Sequence, residues 1–183
     1  HGSRYLSIND FVDERNDPIL ATHAAAKLLK KNYQTLQSWP LAVTAYNHGR
    51  EGMKRAIRTL ATKDIGIIID NYESDTFGFA SSNFYSEFLA ILEIERDYRK
   101  YFGNMLVENP IQYVEIPLDR DVPFSKLILA CAMIREDMEE FNPGLTRRVI
   151  RDRNPVPKGY NLKVPPENKE KCISGIKNIP DFG

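Results

Sequence analysis

The sequence has little that would serve metal, nucleotide or nucleic-acid chemistry. Its 183 residues include only three histidines and two cysteines, and none of them stands at the short spacing of a zinc-binding pattern. It also lacks the glycine-rich loops that hold nucleotide phosphates and the Gly-x-Ser-x-Gly motif of serine hydrolases. Lys and Arg total 25, as do Asp and Glu, so there is no basic surplus to neutralise a nucleic acid. We therefore predict no metal, no cofactor and no nucleic-acid partner.

Long apolar runs are also absent. Apolar stretches such as residues 65–69 are far shorter than the roughly 20 residues that cross a membrane, so no membrane span is predicted. The two cysteines, Cys131 and Cys172, form either one disulfide in an oxidising compartment or a pair of free thiols. We favour free thiols, and we place Cys131, which lies in an apolar run, in the core.

Helical periodicity dominates the first hundred residues. Asp17 followed by Pro18 predicts a helix start, because Asp accepts hydrogen bonds from first-turn amides and Pro suits the first helical position. Gly49 predicts a helix end. The predicted helices are 17–36, 40–46, 51–60 and, capped by Asn83, a long helix to about residue 102. Residues 65–72 could form a helix or a strand, and we favour a helix because their neighbours are helical. That long helix carries a broad apolar face, which predicts burial between neighbouring helices.

The pattern changes after Gly103. Alternating residues at 113–118 and 160–164 predict strands, with helices at 125–133 and 136–141 between them. The order strand, helix, helix, strand makes an α+β unit of about fifty residues, which is small for independent folding. The tail from Glu167 has few apolar residues, and we expect it to be draped or disordered.

Three segments could carry chemistry, and the first is 13–18. It contains three carboxylates, and glycoside hydrolysis commonly uses a carboxylate pair. We interpret this segment as structural, with Asp17 as a helix cap and with Asp13, Glu14 and Arg15 as a local ion-pair cluster.

The other two segments are 45–49 and 77–85. The Asn47 side chain offers a donor and an acceptor to a ligand, or it only ends a helix. The glycine and aromatic residues of 77–85 either pack a loop onto the core or stack on sugar rings, with the Tyr85 hydroxyl reaching a reacting group. The residues alone leave both alternatives open.

Taken in order, these segments resemble the C-terminal two-thirds of the lysozyme-like domain of lytic transglycosylases, and the branch they resemble is membrane-bound lytic transglycosylase D. The resemblance covers residues 4–102. The matching residues are 13–18, 21–29, 39–42, 45–49 and 83–90. The resemblance implies a mainly α fold, incomplete at its N-terminus. It also implies cleavage of the bond between N-acetylmuramic acid and N-acetylglucosamine with a 1,6-anhydro product.

The same resemblance implies a site. Tyr85 would lie near the reacting sugar as a catalytic residue. The substrate-binding residues would be Tyr46, Asn47, His48, Gly49, Phe79 and Asn83. The family's catalytic glutamate belongs to a Glu-Ser pair that precedes these motifs, and neither Glu14 nor Glu87 matches it. We therefore expect the glutamate in a separate N-terminal segment, which would also cover the region of Phe77 and Phe79.

The strand-helix-helix-strand unit resembles a LysM module, a small unit that binds glycan chains. The match rests on 113–116, 124–128, 138–143 and 159–165. The family's Gly-Asp-Thr turn reads Arg120-Asp121-Val122 here, and residues 146–157 contain an insertion. The predicted parts are a lysozyme-like portion (1–103), a linker (104–110), a LysM-like module (111–166) and a tail (167–183).

These resemblances imply a bacterial enzyme of the periplasm or cell envelope, or a secreted one, whose partner is the glycan strand of peptidoglycan. Two other hypotheses stay open. A lysozyme-type muramidase would use water in place of the muramyl 6-hydroxyl, and a peptidoglycan-binding remnant would have no catalysis.

Overall fold

The computed structural model describes residues 4–180, and the chain divides into two compact units. One comprises His1–Ala24 with Asn109–Gly183, and the other comprises Ala25–Glu108. We call the first the disulfide unit, after the Cys131–Cys172 disulfide that it contains, and the second the helical unit. The division after Glu108 falls inside the predicted linker, but the first 24 residues are grouped with the second predicted part rather than the first. The outermost three residues of the predicted 1–103 portion and of the 167–183 tail lie outside the described residues.

Six helices account for the regular structure from residue 18 to residue 102. They are α1 Pro18–Leu36, α2 Trp39–His48, α3 Arg50–Leu60, α4 Ile65–Asn71, α5 Phe79–Arg96 and α6 Tyr98–Phe102. Asp17 caps α1 as predicted, because its Oδ1 accepts from the amides of Ile19 and Leu20. Gly49 ends α2 with φ 87°, a left-handed conformation that favours glycine. The helical core is Leu36, Leu41, Ala45, Met53, Ala56, Ile68 and Phe77.

Helix α5 differs from its prediction in three ways. It ends at Arg96, and residues 98–102 form the separate helix α6. Helix α5 also begins at Phe79 rather than at Asn83, because the chain already turns at Gly78, whose carbonyl accepts from the Ser81 amide at 3.0 Å. Ser81 is its buried residue, whereas Ile91 is 64% exposed. The expectation that this helix is buried between neighbours was therefore wrong.

The disulfide unit contains the predicted strand-helix-helix-strand order. Its elements are β1 Val114–Pro117, α7 Phe124–Cys131, α8 Arg135–Phe141, α9 Arg147–Ile150, β2 Asn161–Val164 and α10 Lys169–Lys177. The two strands pair antiparallel with Val114 opposite Val164. Helix α9 is an addition that lies inside the predicted insertion. With its ten helices and this small sheet, the described part of the chain is mainly α, as predicted.

Two expectations about the C-terminal part were wrong. The tail is not draped or disordered: α10 packs on α7, with Cys172 and Ile176 buried one helical turn apart. Gly175 permits this close approach, since a Cβ there would lie 2.3 Å from the Ala130 carbonyl oxygen. The cysteines are not free thiols either, because Cys131 and Cys172 form a disulfide in the core.

The N-terminal segment pairs its backbone with the loop after α8. Val12 forms an antiparallel bridge with Leu145, and the Asp13 amide donates to the Gly144 carbonyl at 2.7 Å. The Thr146 amide donates in turn to Phe11. These hydrogen bonds explain why the first residues belong to the disulfide unit rather than to the helical unit.

Candidate functional site

The candidate site of the helical unit lies where the end of α2 meets the start of α5. The Ser81 hydroxyl donates to Asn47 Oδ1 at 3.0 Å. The Tyr46 ring stacks on Phe84, with centroids 5.7 Å apart and planes within 3°. These two contacts define the face of α5 that is turned toward α2.

Tyr85 lies on that same face, because it follows Ser81 by one helical turn. It is partly buried. Its hydroxyl makes no hydrogen bond to residues 4–180, so it can serve a ligand. The structure therefore brings three of the predicted site residues, Tyr46, Asn47 and Tyr85, to one side of the α2–α5 contact.

Asn47 is exposed, and only one of the two polar groups of its side chain makes a hydrogen bond within the described residues. Its Oδ1 accepts from Ser81. Its Nδ2 group, which can donate two hydrogen bonds, has no acceptor in the part of the chain that the structure describes. The bond to Ser81 fixes the amide orientation and leaves the donors toward solvent, which is the arrangement that a carbonyl or hydroxyl ligand requires.

Phe79 and Asn83 lie on a different flank of α5, since each is two residues away from Ser81. Phe79 is 80% exposed, which leaves its ring available for stacking. Asn83 does not cap the helix. Its Nδ2 donates to the Phe79 carbonyl at 2.9 Å and so braces the first turn from within.

His48 faces the protein. Its Nδ1 lies 3.0 Å from the Thr76 carbonyl oxygen, and its Nε2 is buried. The ring meets Phe77 and Tyr72 edge-on, with centroids at 4.9 and 6.1 Å. Burial, together with the charge of Arg55, lowers the pKa of His48 below its ordinary value. The neighbouring Gly49 supplies the turn that ends α2.

The carboxylates of segment 13–18 have structural partners, as predicted. Asp17 caps α1, and Asp13 binds Arg15 at 2.7 Å. That hydrogen-bonded ion pair holds the pKa of Asp13 below its usual value. Glu14 accepts from the backbone amide of Ser7 rather than from Arg15. Within residues 4–180, no group of three His, Cys, Asp or Glu side chains is arranged to bind a metal ion.

Ser81 is the site residue that the sequence reasoning missed. Its 4% exposure and its bond to Asn47 make it the link between the two helices. The available signal was its spacing: a small polar residue three and four positions before Phe84 and Tyr85 lies on their face of a helix.

Comparison with known proteins finds a family match for the first part of the chain. Residues 2–69 match the family model described as the transglycosylase SLT domain. The match includes α1 to α4 and the Tyr46–Gly49 end of α2, and it stops before α5. It supports a relationship to the lytic transglycosylase superfamily, whose members act on peptidoglycan. No curated protein matches the chain. Across residues 4–180, no helix has the length and apolar character of a membrane span.

Proposed function

We propose that this chain is part of a lytic transglycosylase of the membrane-bound D type. It would cleave the bond between N-acetylmuramic acid and N-acetylglucosamine and leave 1,6-anhydro ends. The observation that carries the proposal is the Ser81–Asn47 contact. It joins the end of α2, which falls within the SLT match, to the helix face that carries Tyr85.

The proposed reaction needs one carboxyl group. The acid protonates the leaving glycosidic oxygen as the bond to the muramyl anomeric carbon breaks. The resulting carboxylate then takes the proton from the muramyl 6-hydroxyl, whose oxygen bonds to that carbon. No water is consumed, and the attack is favoured because it is intramolecular. A positioned acid of this kind contributes on the order of a hundred- to ten-thousandfold in rate.

The residues of this chain would bind and orient the glycan. The Asn47 amide would donate to a carbonyl or hydroxyl of the sugar. The stacked rings of Tyr46 and Phe84 would form a wall of the cleft. The Tyr85 hydroxyl would contact the reacting sugar, and the exposed Phe79 ring would stack on a neighbouring one.

The catalytic glutamate would come from a separate N-terminal segment. The exposure of Leu89, Ile91 and Leu92, which lie together farther along α5, supports a covering segment on this helix. Phe77 gives no such support: it was expected to be exposed, but only 8% of it is, because it packs into the helical core.

The disulfide unit would act as a LysM-like glycan-binding module. Its antiparallel β1–β2 pair with helices between the strands supports this assignment. The Cys131–Cys172 disulfide supports a location in the periplasm, in the cell envelope or outside the cell, because such bonds persist in oxidising compartments.

The test is a digestion of purified peptidoglycan by this chain together with a segment that carries the proposed Glu-Ser pair, with the products separated and weighed by mass spectrometry. We expect 1,6-anhydro muropeptides from this combination and no release by the present chain alone. Reducing ends would instead identify a hydrolytic muramidase. Binding without release by the combination would identify a non-catalytic module. Either result would overturn the proposal.

A further inference from the structure

The hydrogen bond of His48 defines its tautomer. A carbonyl oxygen only accepts, so the 3.0 Å contact with Thr76 places the proton on Nδ1. The neutral ring then carries its lone pair on Nε2. That atom is buried and has no hydrogen-bond partner among residues 4–180. It points at Gly52, where a Cβ would lie only 2.4 Å away.

The surroundings of the ring disfavour a second proton. A proton added at Nε2 would be buried against the glycine without an acceptor, which is costly for a charged donor. The hydrogen bond to Thr76 favours the charged ring, but burial and the charge of Arg55 outweigh it. The groups that face it are Gly52 and the cationic Arg55 from α3, Tyr72 after α4, and Phe77 with the Thr76 carbonyl from segment 74–78.

The segment that His48 holds leads directly into α5. Thr76 and Phe77 precede Gly78, where that helix begins to turn. The adjacent Asn47 binds Ser81 in the first turn of α5. Two successive residues of α2 therefore anchor two successive parts of the approach to the Tyr85 face.

We propose that His48 is a positioning residue that acts as an acid-sensitive latch: its neutral ring holds segment 74–78 and thereby the start of α5, and protonation releases them. Gly52 is the second part of the latch, because it leaves the space that the ring occupies. The proposal concerns the shape of the α2–α5 contact, and its test does not depend on cleavage of a glycan.

The direction of the pH effect follows from the lowered pKa of His48. The ring accepts a proton more readily when the latch is open than when it is closed. The latch is therefore fully formed above the ordinary histidine pKa of 6.5, and it weakens as the pH falls through and below that value.

The first measurement is nitrogen NMR of the histidine rings across the pH range. We expect the Nδ1–H tautomer for His48 and a titration below the ordinary histidine value of 6.5. An Nε2–H tautomer, or a titration at or above that value, would overturn the proposal.

The second measurement is hydrogen exchange of the amides of residues 76–82 in the full chain. On acidification, we expect a several-fold loss of protection, corrected for the intrinsic pH dependence of exchange. His48→Asn keeps a donor close to the position of Nδ1 but does not titrate, so its protection should not change with pH. The matched change His23→Asn should leave the acid-dependent loss intact. An acid-dependent loss that persists in His48→Asn would contradict the latch.

The substitution Gly52→Ala tests whether the effect on residues 76–82 depends on the His48 ring or reflects a general loss of stability. Alanine is a better helix former than glycine, so this change should stabilise α3 unless the His48 ring occupies the space. We expect it to remove the protection of residues 76–82 at neutral pH in the parent chain but not in the smaller His48→Asn background. Equal effects in both backgrounds would overturn the proposal.

Discussion

Two asparagines show how the two units use similar chemistry differently. In the disulfide unit, Asn142 is fully buried and uses its whole side chain. Its Nδ2 donates to the carbonyls of Met138 and Lys163, and its Oδ1 accepts from the Lys163 amide and the Tyr160 hydroxyl. In the helical unit, the exposed Asn47 accepts one bond from Ser81. The Asn142 amide, whose hydrogen-bonding groups all have partners in the protein, is structural. The Asn47 amide keeps its donors free of partners among residues 4–180 and is available to a ligand.

The disulfide unit also buries charged groups. The disulfide unit buries an ion pair between Lys163 and Asp17, which are 5% and 3% exposed. The Lys163 ammonium also lies 4.9 Å from the Tyr113 ring centre. Burial, and then the charge of Asp17, raise the pKa of the Tyr160 phenol, so it stays a neutral donor to Asn142. Buried polar groups thus hold this unit together, whereas the helical unit leaves its candidate ligand-binding amide, Asn47, exposed.

The largest effect is expected from Lys163→Met. It leaves the Asp17 carboxylate buried without its partner, which costs about 3 to 5 kcal/mol of unfolding free energy. Chemical denaturation followed by circular dichroism measures the loss. Lys126→Met, at an exposed lysine on α7, should have almost no effect. Adding Asp17→Asn to Lys163→Met should restore much of the stability, and an absence of restoration would contradict the ion-pair account.

Removal of the disulfide comes next. The Cys131–Cys172 bond closes a loop with a sequence separation of 41, and a loop of that size corresponds to roughly 4 kcal/mol through the entropy of the unfolded chain. The double change to alanine should therefore lower the denaturation midpoint and increase hydrogen exchange in α10. Protection of α10 that survives without the bond would show that packing on α7 is sufficient.

Asn142→Ala should cost about 2 kcal/mol, because it strands buried backbone groups of Lys163 and Met138. Hydrogen exchange should increase most in β2. The matched change Asn47→Ala removes only the hydrogen bond from Ser81, so it should cost about 1 kcal/mol and also weaken binding to peptidoglycan fragments. A larger loss of unfolding free energy in Asn47→Ala than in Asn142→Ala would contradict the comparison between the units.

The smallest stability effect is expected from Ser81→Ala, which removes one hydrogen bond worth about 1 kcal/mol. Because that bond orients Asn47, the change should weaken muropeptide binding to a degree similar to Asn47→Ala, and the double variant should be no worse than either single one. Additive losses, measured by calorimetry, would show that Ser81 and Asn47 act independently.

Local signals predicted much of this fold. The Asp17-Pro18 start of α1, the Gly49 end of α2 and the strand alternation all depend on neighbours within a few residues. The pairing of Val12 with Leu145 joins residues more than 130 positions apart, and no short pattern encodes it. The fold of the tail was missed for a similar reason, since Cys172 and Ile176 find their partners on α7.

The candidate site was partly predictable. Motif order singled out Tyr46, Asn47 and Tyr85, and the structure brings their helices together. It could not show that Asn83 lies on another flank, or that the nitrogens of His48 face the protein. Those facts depend on where α5 starts, and the turn at Gly78 decides that. The predicted roles of these residues in binding and catalysis stay predictions.

The most direct test of the central claim is the product spectrum of peptidoglycan digested by this chain together with the proposed Glu-Ser segment, compared between the parent and Tyr85→Phe. Tyr98→Phe, at another partly buried tyrosine on α6, is the matched control. The account predicts 1,6-anhydro muropeptides for the parent and the control, with release slowed at least about tenfold by Tyr85→Phe, the loss of one transition-state hydrogen bond of about 1.4 kcal/mol. Reducing ends, or unchanged release by Tyr85→Phe, would contradict it.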